Sequence, residues 1–142
     1  MAAKVPLEIR LTLRAGSVYY FVDHSLTSPE PHYFVVANSK PLDQELILLG
    51  VVTSSVDWVK RMRRNLPGTT IEIDPKQYDE LKVASIVDCN DVKLRTLAEL
   101  IEKIQRKEVR HHKDLPKVLL SAIQAGIKAS PIVDDDRKKL ID

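Results

Sequence analysis

Cysteine occurs once in the 142 residues, at position 89. A single thiol forms no internal disulfide and leaves no paired thiolates for a zinc site, so a reducing, cytoplasmic setting is expected. Glycine is nearly as scarce. Gly16, Gly50, Gly68 and Gly126 are the only four, and none forms a phosphate-cradling or dinucleotide-binding loop, so no cofactor is expected. Long hydrophobic runs are also missing: 46-LILLGVV-52 is far short of the ~20 residues needed to span a bilayer. The N-terminus has no charged-then-apolar signal pattern, and no membrane association is expected. Neither sign of charge dominates. With 22 Lys and Arg against 20 Asp and Glu the net charge is +2, so partners must be inferred from local clusters.

Hydrophobic residues make up 44% of the chain, which at this length suffices for one core and one domain. Val5, Leu7, Ile9, Leu11 and Leu13 alternate with polar residues and Pro6, the period of a half-buried strand. Ala15-Gly16 then turns the chain into a strand at 17-SVYYFV-22, and a polar loop ending in Pro29 and Pro31 leads to another at 33-YFVVA-37. After the turn-rich 38-NSKPLDQ-44, 46-LILLGVVT-53 reads as a central strand buried on both faces, with Gly50 as a bulge or bend. The segment 55–65 suits a short helix capped by Ser55 or a mobile excursion, and strands return at 69–73 and 84–89 around a helical turn at 75–81.

The pattern changes near Asn90. Leu94, Leu97, Ile101 and Ile104 recur at helical spacing with a Glu99–Lys103 pair, predicting a helix over 92–107. A second helix is predicted from Asp114, a possible cap, to Lys128, and 131–142 reads as a short helix or a frayed tail. Strands first and helices last give an α+β fold, with a curled sheet over about 5–90 and a helical part over about 91–130.

Two basic clusters stand out. In 57-DWVKRMRR-64, Lys60, Arg61, Arg63 and Arg64 against Asp57 give a local charge of +3 around Trp58. This arrangement suits either phosphate attraction with base stacking or a solvated helix face with Trp58 in the core. Between Lys103 and Lys117, six basic residues against Glu108 and Asp114 give +4, which reads as a solvated face. The adjacent pair 111-HH-112 diverges in direction and lacks a carboxylate at suitable spacing, so it reads as solvated loop histidines and no metal site is expected.

At 32-HYFVVAN-38, 50-GVVTSS-55 and 84-ASIVDCNDVKLRTLAELI-101 the chain resembles the MazF/PemK-type toxins of bacterial toxin–antitoxin systems, with 16-GSVYYF-21 matching the family's opening strand except for Ser17 in place of the usual Asp. The resemblance covers about residues 14–105 and rests on the order of the motifs. It implies a small SH3-like barrel carrying helices, endoribonuclease activity, a homodimer, and an antitoxin that covers the RNA groove. His32 falls where the family has a basic catalytic residue, commonly arginine, and Thr53, with Ser54 beside it, falls at the hydroxyl position. The implied reaction is metal-free cleavage of single-stranded RNA, in which the 2′-hydroxyl attacks the adjacent phosphate and a cyclic phosphate results. An imidazole can act as acid or base near neutral pH, while Lys60, Arg61, Arg63 or Arg64 would supply a cation and Trp58 a stacking surface. His32 could equally cap its strand, and Cys89 reads as a small core residue before a nucleophile. The alternative from another class is a barrel of the same kind that binds nucleic acid or a protein partner without catalysis.

Overall fold

The computed structural model describes residues 5–26 and 29–142. Among these, the elements run α1 (Leu7–Thr12), β1 (Val18–Phe21), β2 (His32–Val36), α2 (Pro41–Gln44), β3 (Leu46–Thr53), α3 (Val56–Met62), β4 (Thr70–Ile73), β5 (Ser85–Asp88), β6 (Lys93–Thr96), α4 (Leu97–Gln105), β7 (Arg110–His112), α5 (Lys117–Ala129) and α6 (Asp135–Lys139). The fold is α+β. Its strands form one antiparallel sheet in the order β4-β5-β3-β2-β1-β7, with β6 also paired to β3. The sheet is open, since no pairing joins β4 to β7 among the described residues.

β3 is central, as its apolar run requires, and one of its edges serves two partners. Leu46–Leu49 pair with β6, and Val52 and Thr53 pair with β5, while the other edge pairs with β2 from Leu49 to Val52. Gly50 sits where the partner changes. Its pairing with Val35 is regular, so the expected bulge is absent. A Cβ there would come within 3.2 Å of Val87 Cγ1, so the missing side chain makes room for the neighbouring strand.

The pleat sends alternate residues to two cores. Val18, Val35, Leu48, Val52 and Val87 pack with Leu119, Ile123 and Ile127 of α5. Tyr19, Phe21, Phe34, Val36, Ile47 and Leu49 pack on the other face with Ile9 and Leu13 from the N-terminal segment and Leu97, Leu100 and Ile101 of α4. Burial on both faces explains the near-continuous apolar reading of β2 and β3.

The expected N-terminal strand is a helix. Its alternation also fits a helical repeat of four, because Ile9 and Leu13 are one turn apart and both buried, whereas Leu7 and Leu11 are equally spaced and exposed. Pro6 takes the cap position and supplies no N–H to a ladder. Nor does the helix predicted from 92 begin there. Lys93–Thr96 form β6, and α4 starts at Leu97 because Thr96 and Glu99 form a reciprocal capping box, a device worth about 1 kcal/mol. That use of Glu99 replaces the expected pair with Lys103, whose ammonium lies 5.4 Å from the Phe21 ring centroid. The last long helix starts at Lys117, not near Asp114, because Pro116 disfavours helical backbone at Leu115. Asp114 instead accepts from Arg14 Nε at 2.6 Å. The tail contains α6, capped by the Asp134 side chain.

Candidate functional site

A groove of about 960 Å³ opens at the end of the sheet where β2 begins and β3 ends. Its floor follows from the strand register. Phe21 pairs with His32 and Tyr33 with Val52, so His32 and Thr53 lie one step beyond the last β2–β3 pair, on neighbouring strands. Both line the groove, with Ser54 following Thr53. His32 Nδ1 donates to the Glu30 carbonyl at 3.0 Å, which fixes the ring at the strand entrance and leaves Nε2 for exchange with a ligand. Thr53 Oγ1 accepts from the Ser55 amide at 3.2 Å, holding the turn into α3.

α3 forms one wall. Val59 is buried beneath it, while Trp58 is 56% exposed and Met62, one turn later, 42%. This decides between the two readings of the indole: it belongs to the surface of the groove, not to the core. The basic residues separate by function. Arg63 lines the groove, but its Nε donates to Asp88 at 2.9 Å with both side chains largely buried, so its charge is already neutralised. Lys60 reaches Glu72 at 3.4 Å across an exposed surface. Lys60, Arg61 and Arg64 are not lining residues.

The opposite wall was missed by sequence reasoning. His111 and His112 belong to β7, which pairs with β1 through Val18↔His112, Tyr19↔His111 and Tyr20↔Arg110. They are half-buried and point to opposite faces, in place of the solvated loop expected. His111 packs against Tyr19 with ring centroids 5.4 Å apart, and burial lowers its pKa although Asp114 opposes this. His112 and Arg110 both line the groove. The His112 ring stands edge-on to Tyr33 and Tyr20, at 5.0 and 5.9 Å between centroids, and its Nδ1 donates to Glu80 Oε2 at 3.2 Å. Tyr33 in turn donates its hydroxyl to the Glu80 carbonyl at 3.2 Å, and burial raises its pKa, keeping the phenol protonated. Nothing local could have signalled this strand, because 110-RHH-112 carries no apolar–polar alternation and three residues are too few for a period to be read.

The charges of the groove are sorted by pairing. Arg63 and Asp88 neutralise one another and Asp91 is held by Lys93 at 3.1 Å, whereas Lys82 and Arg110 have no carboxylate partner among the described residues. A bidentate ion pair ties down the start of the loop that leads to His32. Asp23 accepts from Arg95 Nε and Nη2 at 2.8–3.1 Å and from the Ser25 amide and hydroxyl at 2.9 and 2.6 Å. Burial alone would raise the Asp23 pKa, but the hydrogen bonds from Ser25 and Arg95 outweigh it and hold the carboxyl at about 2. Cys89 lies in the core against α5, and burial pushes its thiol up to about 12, which leaves no nucleophile. No helix among the described residues is long and apolar enough to cross a membrane. No protein-family model matches the chain, and no curated protein matches it.

Proposed function

We propose that the protein is a MazF/PemK-like endoribonuclease that cleaves single-stranded RNA by metal-free transesterification. The observation that carries this reading is the meeting of His32 and Thr53. They are 21 positions apart in sequence, yet neighbouring strands bring both to one groove. The exposed indole of Trp58 beside them offers a face for base stacking, worth about 1–3 kcal/mol per base. Lys82 and Arg110, which have no carboxylate partner among the described residues, attract phosphate. In this reading the open sheet is a variant of the SH3-like barrel, the active form is a homodimer, and an antitoxin protein silences the enzyme by covering the groove in the cytoplasm.

The test is incubation of the folded protein with mixed-sequence RNA oligonucleotides in EDTA, with product ends determined by mass spectrometry. Fragments ending in 2′,3′-cyclic phosphate, lost with His32→Ala, are expected. Absence of cleavage by a demonstrably folded protein would refute the enzyme. Salt-sensitive RNA binding without cleavage would establish the non-catalytic binding module instead.

A further inference from the structure

The pleat divides the groove between the two faces of the sheet. Phe21 pairs with His32, whose ring centroid lies 6.5 Å from that of Phe34, so His32 and Thr53, one step beyond the Tyr33–Val52 pair, share the face of Phe21 and Phe34. Tyr33 pairs with both Tyr20 and Val52, Tyr20 pairs with Arg110, and His112 stands opposite Val18, so these side chains lie on the other face. The ring contacts agree, with centroids 4.6 Å apart for Tyr20 and Tyr33, 5.0 Å for Tyr33 and His112, and 5.9 Å for Tyr20 and His112. A phosphate at His32 is therefore not the phosphate nearest Arg110. Resting on the ribonuclease reading above, we propose that the second face is a subsite for the nucleotides flanking the cut: their bases stack on Tyr20, Tyr33 and His112, their phosphates meet Arg110 and Lys82, and the strand turns around the end of the sheet to reach His32.

The subsite is assembled before any ligand arrives. Tyr20, Tyr33 and His112 are half-buried and line the groove, so each is held by its neighbours and still offers surface. Residues 78–83, which carry Lys82, are tied over this face at three points. The Tyr33 hydroxyl donates to the Glu80 carbonyl at 3.2 Å, His112 Nδ1 to Glu80 Oε2 at 3.2 Å, and the Tyr78 hydroxyl to the Lys113 carbonyl at 2.6 Å. Leu81 is buried between these ties, in the core beneath, and Lys82 stays exposed. The charges favour an anion. Glu80 is taken by His112 and Lys113 by Asp79, whereas Lys82 and Arg110 have no carboxylate partner among the described residues.

Rings in mutual contact flanked by two such cations suit a strand that repeats base and phosphate. The bend selects its form. A double helix, which for DNA is stiff over about 150 base pairs, cannot turn around the end of one sheet, but a single strand can. Neither histidine needs to reach the other's phosphate, and Tyr20, Tyr33, Arg110 and Lys82 act on binding of the flank and not on the bond that breaks.

The experiment measures affinity by fluorescence anisotropy for single-stranded RNA of mixed sequence, made uncleavable by 2′-O-methylation, at about four and about ten nucleotides and over a range of salt. The longer strand should bind wild type at least tenfold tighter. Tyr20→Ala should lose about fivefold or more on the longer strand, with its salt slope kept, and Tyr20→Phe, which keeps the ring, should restore it. Lys82→Ala and Arg110→Ala, at exposed positions that do not endanger folding, should each lower the slope of log affinity against log salt by about 0.7. In wild type, abasic residues over half of the longer strand should cost as much as Tyr20→Ala, a check that needs no variant. Equal affinity for both lengths, an unchanged salt slope in both cation variants, or intact affinity for the abasic strand would overturn the subsite, and the ribonuclease would stand if wild type cuts unmodified RNA. The expected affinities in a protein that cuts no RNA would keep the subsite and overturn the enzyme. Neither binding nor cleavage would overturn both.

Discussion

Replacing Arg95 by Met should destabilise the protein at neutral pH and leave it nearly untouched in strong acid. The guanidinium caps the end of β1 by gripping Asp23, whose side chain is 5% exposed while that of Arg95 is 23%. At this burial solvent screening is weak. Asp23 titrates at about 2 in the fold against 3.8 for an ordinary Asp, and each unit is worth 1.36 kcal/mol. The carboxylate form thus contributes about 2 kcal/mol, with Ser25 and Arg95 sharing it. A depressed folded pKa gives stability that is complete above the unfolded value and is lost as pH falls from about 4 through about 2. Removing Arg95 also strands a buried charge, so the cost at pH 7 should be about 2–3 kcal/mol. Urea unfolding followed by circular dichroism at pH 7 and at pH 2.5 measures it. The gap between variant and wild type should shrink to under about 1 kcal/mol at the lower pH, and an Asp23→Asn, Arg95→Met double variant should cost less than the single losses added together. A difference that is the same at both pH values, or one below 0.5 kcal/mol at pH 7, would refute the reasoning.

Two further outcomes bear on packing. Gly126→Ala in α5 should destabilise by about 1–3 kcal/mol, although alanine favours helix, because the new Cβ would lie 2.7 Å from Cys89 Sγ and 3.2 Å from the Gly68 carbonyl; a thermal melt at or above the wild-type temperature would contradict this close approach. Trp58→Ala should change stability by less than about 0.5 kcal/mol yet weaken RNA affinity, and an unfolding cost of 3–5 kcal/mol would return the indole to the core.

The strands at 18–21, 32–36, 46–53, 70–73 and 85–88 were legible because each carries enough apolar residues to display a period, and β3 was recognisable as central because it is apolar on both faces. α1 was misread for a reason internal to the pattern. Every second residue is also every fourth, and which half of Leu7, Ile9, Leu11 and Leu13 is buried depends on a core built from Tyr19 and Leu100, far along the chain. β6 and β7 are three or four residues long, rich in charge, and specified by partners rather than by themselves. The site divides in the same way. His32 and Thr53 stand out at the ends of strong strands, so local pattern finds them. His112 acquires its meaning from Glu80, 32 residues earlier, and Arg63 loses its freedom to Asp88, 25 residues later. Pairings over such distances leave no mark on composition or spacing.

The unequal anchoring of the groove's walls has a consequence in time. His32 and Thr53 sit on strands bonded on both sides into the middle of the sheet, but Arg110 and His112 hang on three register pairs at its edge. Those pairs bridge 94 positions at Val18↔His112, so once released they re-form only after a long stretch of chain has been drawn back. Partial opening therefore begins at β7 and not at β3. A molecule can lose one wall while its cores, its helices and its circular dichroism remain intact. Whatever the groove does should fade on gentle warming before any melting is visible, and return on cooling.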